Sequence, residues 1–513
     1  MNQDTLEHLY VTGDYLLLLE EIRNYAYDDP SSTLTDIEKA ICSSYHSRAL
    51  IRRGEVNLAE NVIHKISSLK NNDSFSLSSL INQTSIINLQ ITQGNISEAL
   101  KNGMNTTALV EQRKHELADQ LEALTFWSAY LNFLIGIAYY YQFKIDLAYT
   151  SFQKSLEVNQ TNLFIKAKCL YYLGVVEQEK GNITKFHELW EESLDIFQSI
   201  KARQGAAWII CWQGNLLIQE RNFSKAKATL IQATELFELI GDIQGLSMVN
   251  SLMGMVFYHQ GNLAAAEEIL EQAFDSLMKI GNLILLSYCF LPLLFLHLES
   301  EGRRKAQQRI QQVQELSRNS KNEIVELHLA IAEAMFLKSG PRFGDKALAQ
   351  TKFLTLLKNV YSKKHPHSIL MVPTSDKDFL FLVVFHLVEL YLEEFKLTED
   401  KSILLEAQQL IDNHLQHVQD QEFSPKLPQL SFLKAKLLIV DGEIETALVI
   451  LEQVKHEARV NNFRRLEETI SVEIEQIENE FKKWDAATSI KERVEKVQLE
   501  DYVKKAQRLI AAQ

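Results

Sequence analysis

The sequence predicts an all-α solenoid of about eleven antiparallel helix pairs, ending in a helical C-terminal cap. Three observations predict it. Turns ending in asparagine recur forty residues apart, at Gly181-Asn182, Arg221-Asn222 and Gly261-Asn262. Seven residues before each lies a glycine inside an apolar run: Gly174, Gly214 and Gly254. Seven prolines and eighteen glycines in 513 residues leave little material for strands and hairpins. So long a chain exceeds one compact core, and a regular period selects a repeat array over a string of unrelated domains.

The first helix of each pair carries the glycine. A glycine inside a helix costs about 1 kcal/mol relative to alanine. Four at matching places, counting Gly136 before the turn at Phe143-Lys144, imply the close approach of a neighbouring helix. The second helix has a small residue four positions after the turn and a large apolar one four later: Ala148 with Phe152, Ala226 with Leu230, Ala266 with Leu270. Residues four apart share a helix face, so the small one admits the partner and the large one fills the space beyond. Phe186 stands in place of the alanine ahead of Trp190, which predicts a splayed or shifted pair. In the turns, glycine ends the first helix in a left-handed conformation and asparagine caps the second. Weaker copies extend the array: upstream at Gly13-Asp14, Gly54-Glu55 and Gly94-Asn95, downstream at Gly302, Gly344-Asp345, Thr398 to Asp400 and Gly442-Glu443.

The array is expected to occupy residues 1–360. Residues 361–378 carry two of the seven prolines and break the helical pattern, as a loop or joint would. Further helix pairs are expected over 379–465. The segment 466–513 has no repeat turn and reads as a long helical tail that caps the last apolar face or mediates self-association.

An in-helix glycine, a Gly-Asp/Asn turn and an alanine followed by a bulky residue resemble tetratricopeptide repeats (TPRs). The longer spacing, with Ile240-Gly241-Asp242-Ile243-Gln244-Gly245 joining two pairs, is similar to the extended repeats of kinesin light chain and of spindle-orientation adaptors. Residues 379–513 resemble archaeal proteins of this type from the Asgard group, through Glu389-Leu390-Tyr391-Leu392, Leu433 to Leu438 and the Glu-rich helix ending at Lys483-Trp484. The resemblance implies a right-handed superhelix whose concave surface is lined by the first helix of each pair. The exposed stripe there would fall six and three residues before the helix glycine, and one, four and five after it. Those offsets lie on one helix face. They select Tyr130, Phe133, Ile137, Tyr140 and Tyr141, then Tyr171 and Val175, then Trp208, Cys211 and Asn215. Met248, Met255, Tyr258 and His259 follow, and one step further Tyr288 and Phe295. The stripe is aromatic and poor in lysine and arginine, unlike the basic clamps that grip a chaperone's terminal carboxylate. Either it anchors an apolar segment of a partner, or tight winding buries the rings against one another.

Charge and motifs narrow the function. A net charge of −14 argues against a nucleic-acid partner, and Arg303, Arg304, Lys305 and Arg309 read as a solvated helix face. Cys42, Cys169, Cys211 and Cys289 are widely spaced, as reduced residues of a cytoplasmic protein would be. Met1-Asn2-Gln3-Asp4 opens no secretory signal, and Asn182 and Asn222 read better as helix caps than as glycan acceptors. The apolar stretches Leu283 to Leu298 and Phe379 to Leu392 fall short of the roughly 20 residues a membrane span requires, so no membrane partner is expected. Gly340 to Lys346 lacks the spacing, hydroxyl and preceding strand of a phosphate loop. His414 and His417 with Asp412 and Asp420, and His365 with His367, read as ordinary histidines rather than metal ligands. Neither a cofactor nor a metal is expected, nor catalysis. The expected function is a protein-protein interaction scaffold holding a peptide or helix in its groove; the alternative is a sensor closing on a small ligand.

Overall fold

A computed structural model describes residues 1–29, 31–68, 75–142, 144–159, 161–180, 182–219, 222–300, 302–318, 322–362, 376–418 and 427–460, with a few positions between 467 and 493. The turn at Gly181, most of the expected joint with His365 and His367, Asp420, and nearly all of the expected cap lie outside the described residues. Everything regular among the described residues is helical, with no strand.

The helices run α1 (Gln3–Thr12), α2 (Tyr15–Asn24), α3 (Asp36–Arg52), α4 (Val56–Ser68), α5 (Leu77–Thr92), α6 (Ile96–Arg113), α7 (Leu121–Tyr141) and α8 (Ile145–Val158). They continue as α9 (Leu163–Glu179), α10 (Ile183–Ser199), α11 (Arg203–Gln219), α12 (Phe223–Ile240), α13 (Ile243–His259), α14 (Leu263–Ile280), α15 (Leu283–Glu299) and α16 (Arg303–Ser317). The last are α17 (Glu323–Lys338), α18 (Phe343–Ser362), α19 (Asp376–Thr398), α20 (Lys401–Val418), α21 (Leu427–Asp441) and α22 (Ile444–Val460). Odd-numbered helices from α1 to α15 pack on the even-numbered helix that follows.

The in-helix glycines are contact points. A Cβ on Gly254 would lie 2.5 Å from Leu270, one on Gly214 2.6 Å from Leu230, and one on Gly136 2.5 Å from Phe152. The bulky residue of the second helix therefore rests directly on the glycine of the first. The expected splaying of α9 from α10 is corrected by the same geometry. Trp190 meets Gly174 at 2.5 Å, donates its indole N–H to the Tyr171 carbonyl at 3.1 Å, and Phe186 is buried beside it. A second set of glycines joins successive pairs: Phe197 sits on Gly205 and Phe237 on Gly245.

Gly13 and Gly261 end their helices at φ +85° and +78°, where an L side chain would be strained. Asn222 and Asn262 each accept from a backbone N–H three residues on, at 3.4 Å. Asn182 does not cap; its amide donates to Glu177 at 2.6 Å instead. Shorter caps occur between pairs, where Asp242 accepts from Gly245 at 2.9 Å and Asn282 from Leu285 at 3.0 Å.

Two compact units divide the described chain, one reaching Ala332 and the other beginning at Glu333. Within the first, the solenoid winds back onto its own start. Helix α1 packs on α11 and α3 on α13. Asp14 pairs with Arg203 at 3.0 Å, Asn162 donates to Glu7 at 2.6 Å, and Asn322 donates to the Gly94 carbonyl at 3.3 Å. Outer helices such as α14 bury one stripe (Ala266, Leu270, Ala273, Phe274, Leu277, Ile280), whereas α13 buries most of its circumference. Helix α7 is long and apolar enough to cross a bilayer, but most of it is buried inside this unit. In the second unit α18 packs on α19 and α19 to α22 pack in series around Phe353, Phe381, Phe385 and Phe395.

Candidate functional site

The predicted stripe divides by depth. Tyr130, Phe133, Ile137, Tyr140, Cys211, Asn215, Met248 and Tyr288 are buried, while Tyr141, Tyr171, Val175, Trp208, Met255, Tyr258, His259 and Phe295 keep accessible surface. The buried rings pack on one another and on the accessible ones. Tyr130 stacks on Phe133 with centroids 6.2 Å apart, Tyr140 lies 5.5 Å from Tyr141, and Tyr288 lies 5.5 Å from Trp212. Tyr130, Phe133, Tyr140 and Tyr288 are therefore corrected from exposed surface to the layer behind it. First helices of successive pairs touch (α7 on α9, α13 on α15), and Phe133 and Tyr140 fill the space between α7 and α9 against Tyr172. Of the accessible set, Tyr171 stacks on Trp190 at 5.4 Å, and the Tyr258 hydroxyl donates to Glu299 at 2.7 Å.

At the start of the stripe stands a group of side chains not expected there. Arg48 on α3 is 3% exposed, with its guanidinium over the rings of Tyr10 at 4.0 Å, Tyr130 at 4.6 Å and Tyr45 at 5.2 Å. Its Nε and Nη1 are buried without a hydrogen-bond partner. One turn further, Arg52 faces Gln204, whose amide oxygen, in the orientation that satisfies both groups, accepts from Arg52 Nε at 3.0 Å. Lys168 on α9 lies over Phe164 at 4.6 Å and Phe133 at 5.6 Å. Among the described residues no carboxylate forms an ion pair with Arg48 or Lys168. Arg52, Lys168, Tyr141, Tyr171 and Tyr172 keep part of their surface accessible, unlike Arg48.

The electrostatics follow from burial and from the excess of cations. Desolvation pushes the Lys168 ammonium down to about 8. Burial would raise the Tyr10 phenol, but Arg48, Lys168 and Arg52 outweigh it and pull the group down to about 7. Asp242, fully buried at the start of α13, is pushed above the usual carboxylate range by burial, against the pull of Arg52.

The offsets that select the aromatic stripe also reach these cations. Lys168 lies six residues before Gly174. Ser47 occupies the glycine position seven residues before the Gly54 turn, and Arg48 and Arg52 lie one and five residues after it. In the pair before, Leu6 holds that position and Tyr10 lies four after it. For Tyr10, Arg48 and Arg52 the missing signal was the glycine itself, replaced by leucine and serine in the first two pairs; Lys168 precedes a glycine that is present, and the offsets reach it directly.

A second cluster joins α14, α15 and α16. Buried His297 lies 3.0 Å from Glu271 and 3.7 Å from Glu267, the one group with a metal-binding arrangement among the described residues. Arg309 pairs with Glu271 and Lys305 with Glu267, so both carboxylates already have cations. Burial opposes ionisation of Glu271, but His297 and Arg309 hold it below the usual range. The group is an ion network rather than a vacant ligand set. His414 is buried against Phe381, with centroids 4.9 Å apart, and Asp412 pairs with Lys434, so neither faces a shared metal position.

No protein-family model matches the chain, and no curated protein does. Solved structures align with it at low similarity. A Rap protein complexed with Competence and Sporulation Factor aligns at 15% identity with a TM-score of 0.42, covering 69% of this chain and 99% of that one. Yeast Tom70 aligns at 12% identity and a TM-score of 0.35, over 91% of this chain and 98% of its own. Human IFIT1 aligns at 12% identity and a TM-score of 0.37, over 88% and 95%. At such values the alignments assign neither a family nor a role to this chain.

Proposed function

We propose that this chain is a non-catalytic interaction scaffold whose inner surface holds a peptide segment of a partner protein. One observation carries the reading. Five successive first helices each present a partly accessible aromatic or thioether side chain: Tyr141 on α7, Tyr171 on α9, Trp208 on α11, Met255 on α13 and Phe295 on α15. Large side chains with an apolar body and limited rotamer freedom are the usual anchors of recognition surfaces. A second reading, a sensor that closes on a small ligand, is favoured by the packing of α1 on α11, which encloses the inner surface. Selection of a displayed peptide library against the full chain tests the proposal. Enriched peptides should bind the native protein and lose at least tenfold in affinity on Met255→Ala or Phe295→Ala, with melting temperature little changed. Enrichment of none, or binding indifferent to both substitutions, contradicts it.

A further inference from the structure

A buried cation with no counter-charge is costly, because leaving water is repaid only by a partner of opposite sign or by hydrogen bonds to every donor. Arg48 has neither in full. Three tyrosine faces surround it, and the Tyr10 hydroxyl is within reach of the guanidinium, which repays only part of its desolvation. Two of its nitrogens, Nε and Nη1, are buried without a hydrogen-bond partner. Lys168 is placed on two phenylalanine rings, with no carboxylate at ion-pair distance among the described residues. Arg52 is better served, by Gln204 and the nearby Asp242. Two positive charges thus stand close together with no carboxylate of their own among the described residues, and the Tyr10 phenol beside them is the group that can answer them.

We propose that this cluster is an oxyanion site, in which Arg48 and Lys168, supported by Arg52, receive a carboxylate or phosphate group of the ligand while the rest of that ligand lies along the accessible aromatic side chains. The inference rests on the scaffold reading, and it adds the charge that the ligand must bring. A planar guanidinium with two unsatisfied donor nitrogens suits either oxyanion, and a neighbouring ammonium adds charge without dictating geometry.

Tyr10 reports occupancy. It faces Arg48, Arg52 and Tyr45 from α3, Tyr130 from α7, Lys168 from α9 and Tyr15 from α2, with Glu7 on its own helix and Asp242 beside Tyr15. In the empty site the cations favour its phenolate. A bound oxyanion neutralises them, so the phenolate takes up one proton and returns toward its ordinary range.

The test uses the full chain at pH 8, with glutarate and inorganic phosphate as probes and chloride at matched ionic strength as control. One of the two should raise the melting temperature by several degrees and remove the near-ultraviolet tyrosinate absorbance, which Tyr10→Phe also removes. The probe that acts identifies the source, carboxylate or phosphate. Arg48→Met should fold, with the ligand-free protein at least as stable as the parent, and should abolish the response; Lys168→Met should weaken it at least tenfold. Two results overturn the proposal: no shift with either probe beyond the chloride control, or a shift that survives both substitutions. If selected peptides lack acidic groups and bind Arg48→Met normally, the oxyanion site fails while the scaffold reading stands.

Discussion

At Gly254 one hydrogen atom decides how closely α13 and α14 approach. Alanine there would gain about 1 kcal/mol in helix propensity but place a methyl group 2.5 Å from Leu270. Overpacking of this kind costs about 1–3 kcal/mol, so Gly254→Ala should lower the urea midpoint. Gly254→Ala with Leu270→Ala should recover part of the Gly254→Ala loss beyond additivity, and strict additivity in the double-mutant cycle would refute the contact. This pairing was legible in the sequence, because glycine and the bulky residue recur at set distances from the turn. The compensation at Trp190 was not, since pattern alone does not reveal that Gly174 admits an indole edge while Phe186 is buried beside it. Arg48 and Arg52 were legible in principle but hidden, because Ser47 stands where glycine marks the later repeats, whereas Lys168 was within reach of the offsets from Gly174.

Helix α19 shows how a polar group is carried through an apolar layer. His386 is buried against Phe353 and lies 3.7 Å from Glu389, which in turn pairs with Lys338 at 2.6 Å. Burial, and then Lys338, push the His386 imidazole down to about 4, so it is neutral in the folded protein at neutral pH. His328 on α17 is pushed down to about 3 by burial. Both folded-state values lie below the ordinary 6.5, so the unfolded chain takes up protons first as pH falls. Their stabilising effect is complete above pH 6.5 and declines below it, by up to about 1.4 kcal/mol per pH unit for each histidine. The window from pH 6.5 to 4.5 precedes the protonation of Glu389 and isolates the histidines. Urea midpoints should fall across it, and His386→Gln should make the fall shallower; an unchanged slope would show that His386 does not titrate as described. Helix periodicity told which residues of α19 share a face, but not that its His386 and Glu389 would meet a lysine from α17.

The first unit as a whole is defined by contacts that no period encodes. Asn322 reaches Gly94 across 228 residues, and Asp14 reaches Arg203 across 189. The forty-residue step predicts each pair and its neighbour correctly, because those contacts are local. It says nothing about the number of pairs after which the winding meets its own beginning, which depends on small rotations accumulated at every interface. That closure sets the first two pairs against α9, α11 and α13, whereas Phe133 and Tyr140 are buried locally, by Phe152 and Tyr172 of the same and the next pair. It also makes the inner surface the one place where a ligand would touch many first helices at once. Hydrogen exchange of the full chain, with and without a selected peptide, tests this most directly. Protection is predicted along α7, α9, α11 and α13, with the outer helices α8, α10, α12 and α14 little changed. Protection confined to the outer helices, or to the unit beginning at Glu333, would contradict an inner binding surface.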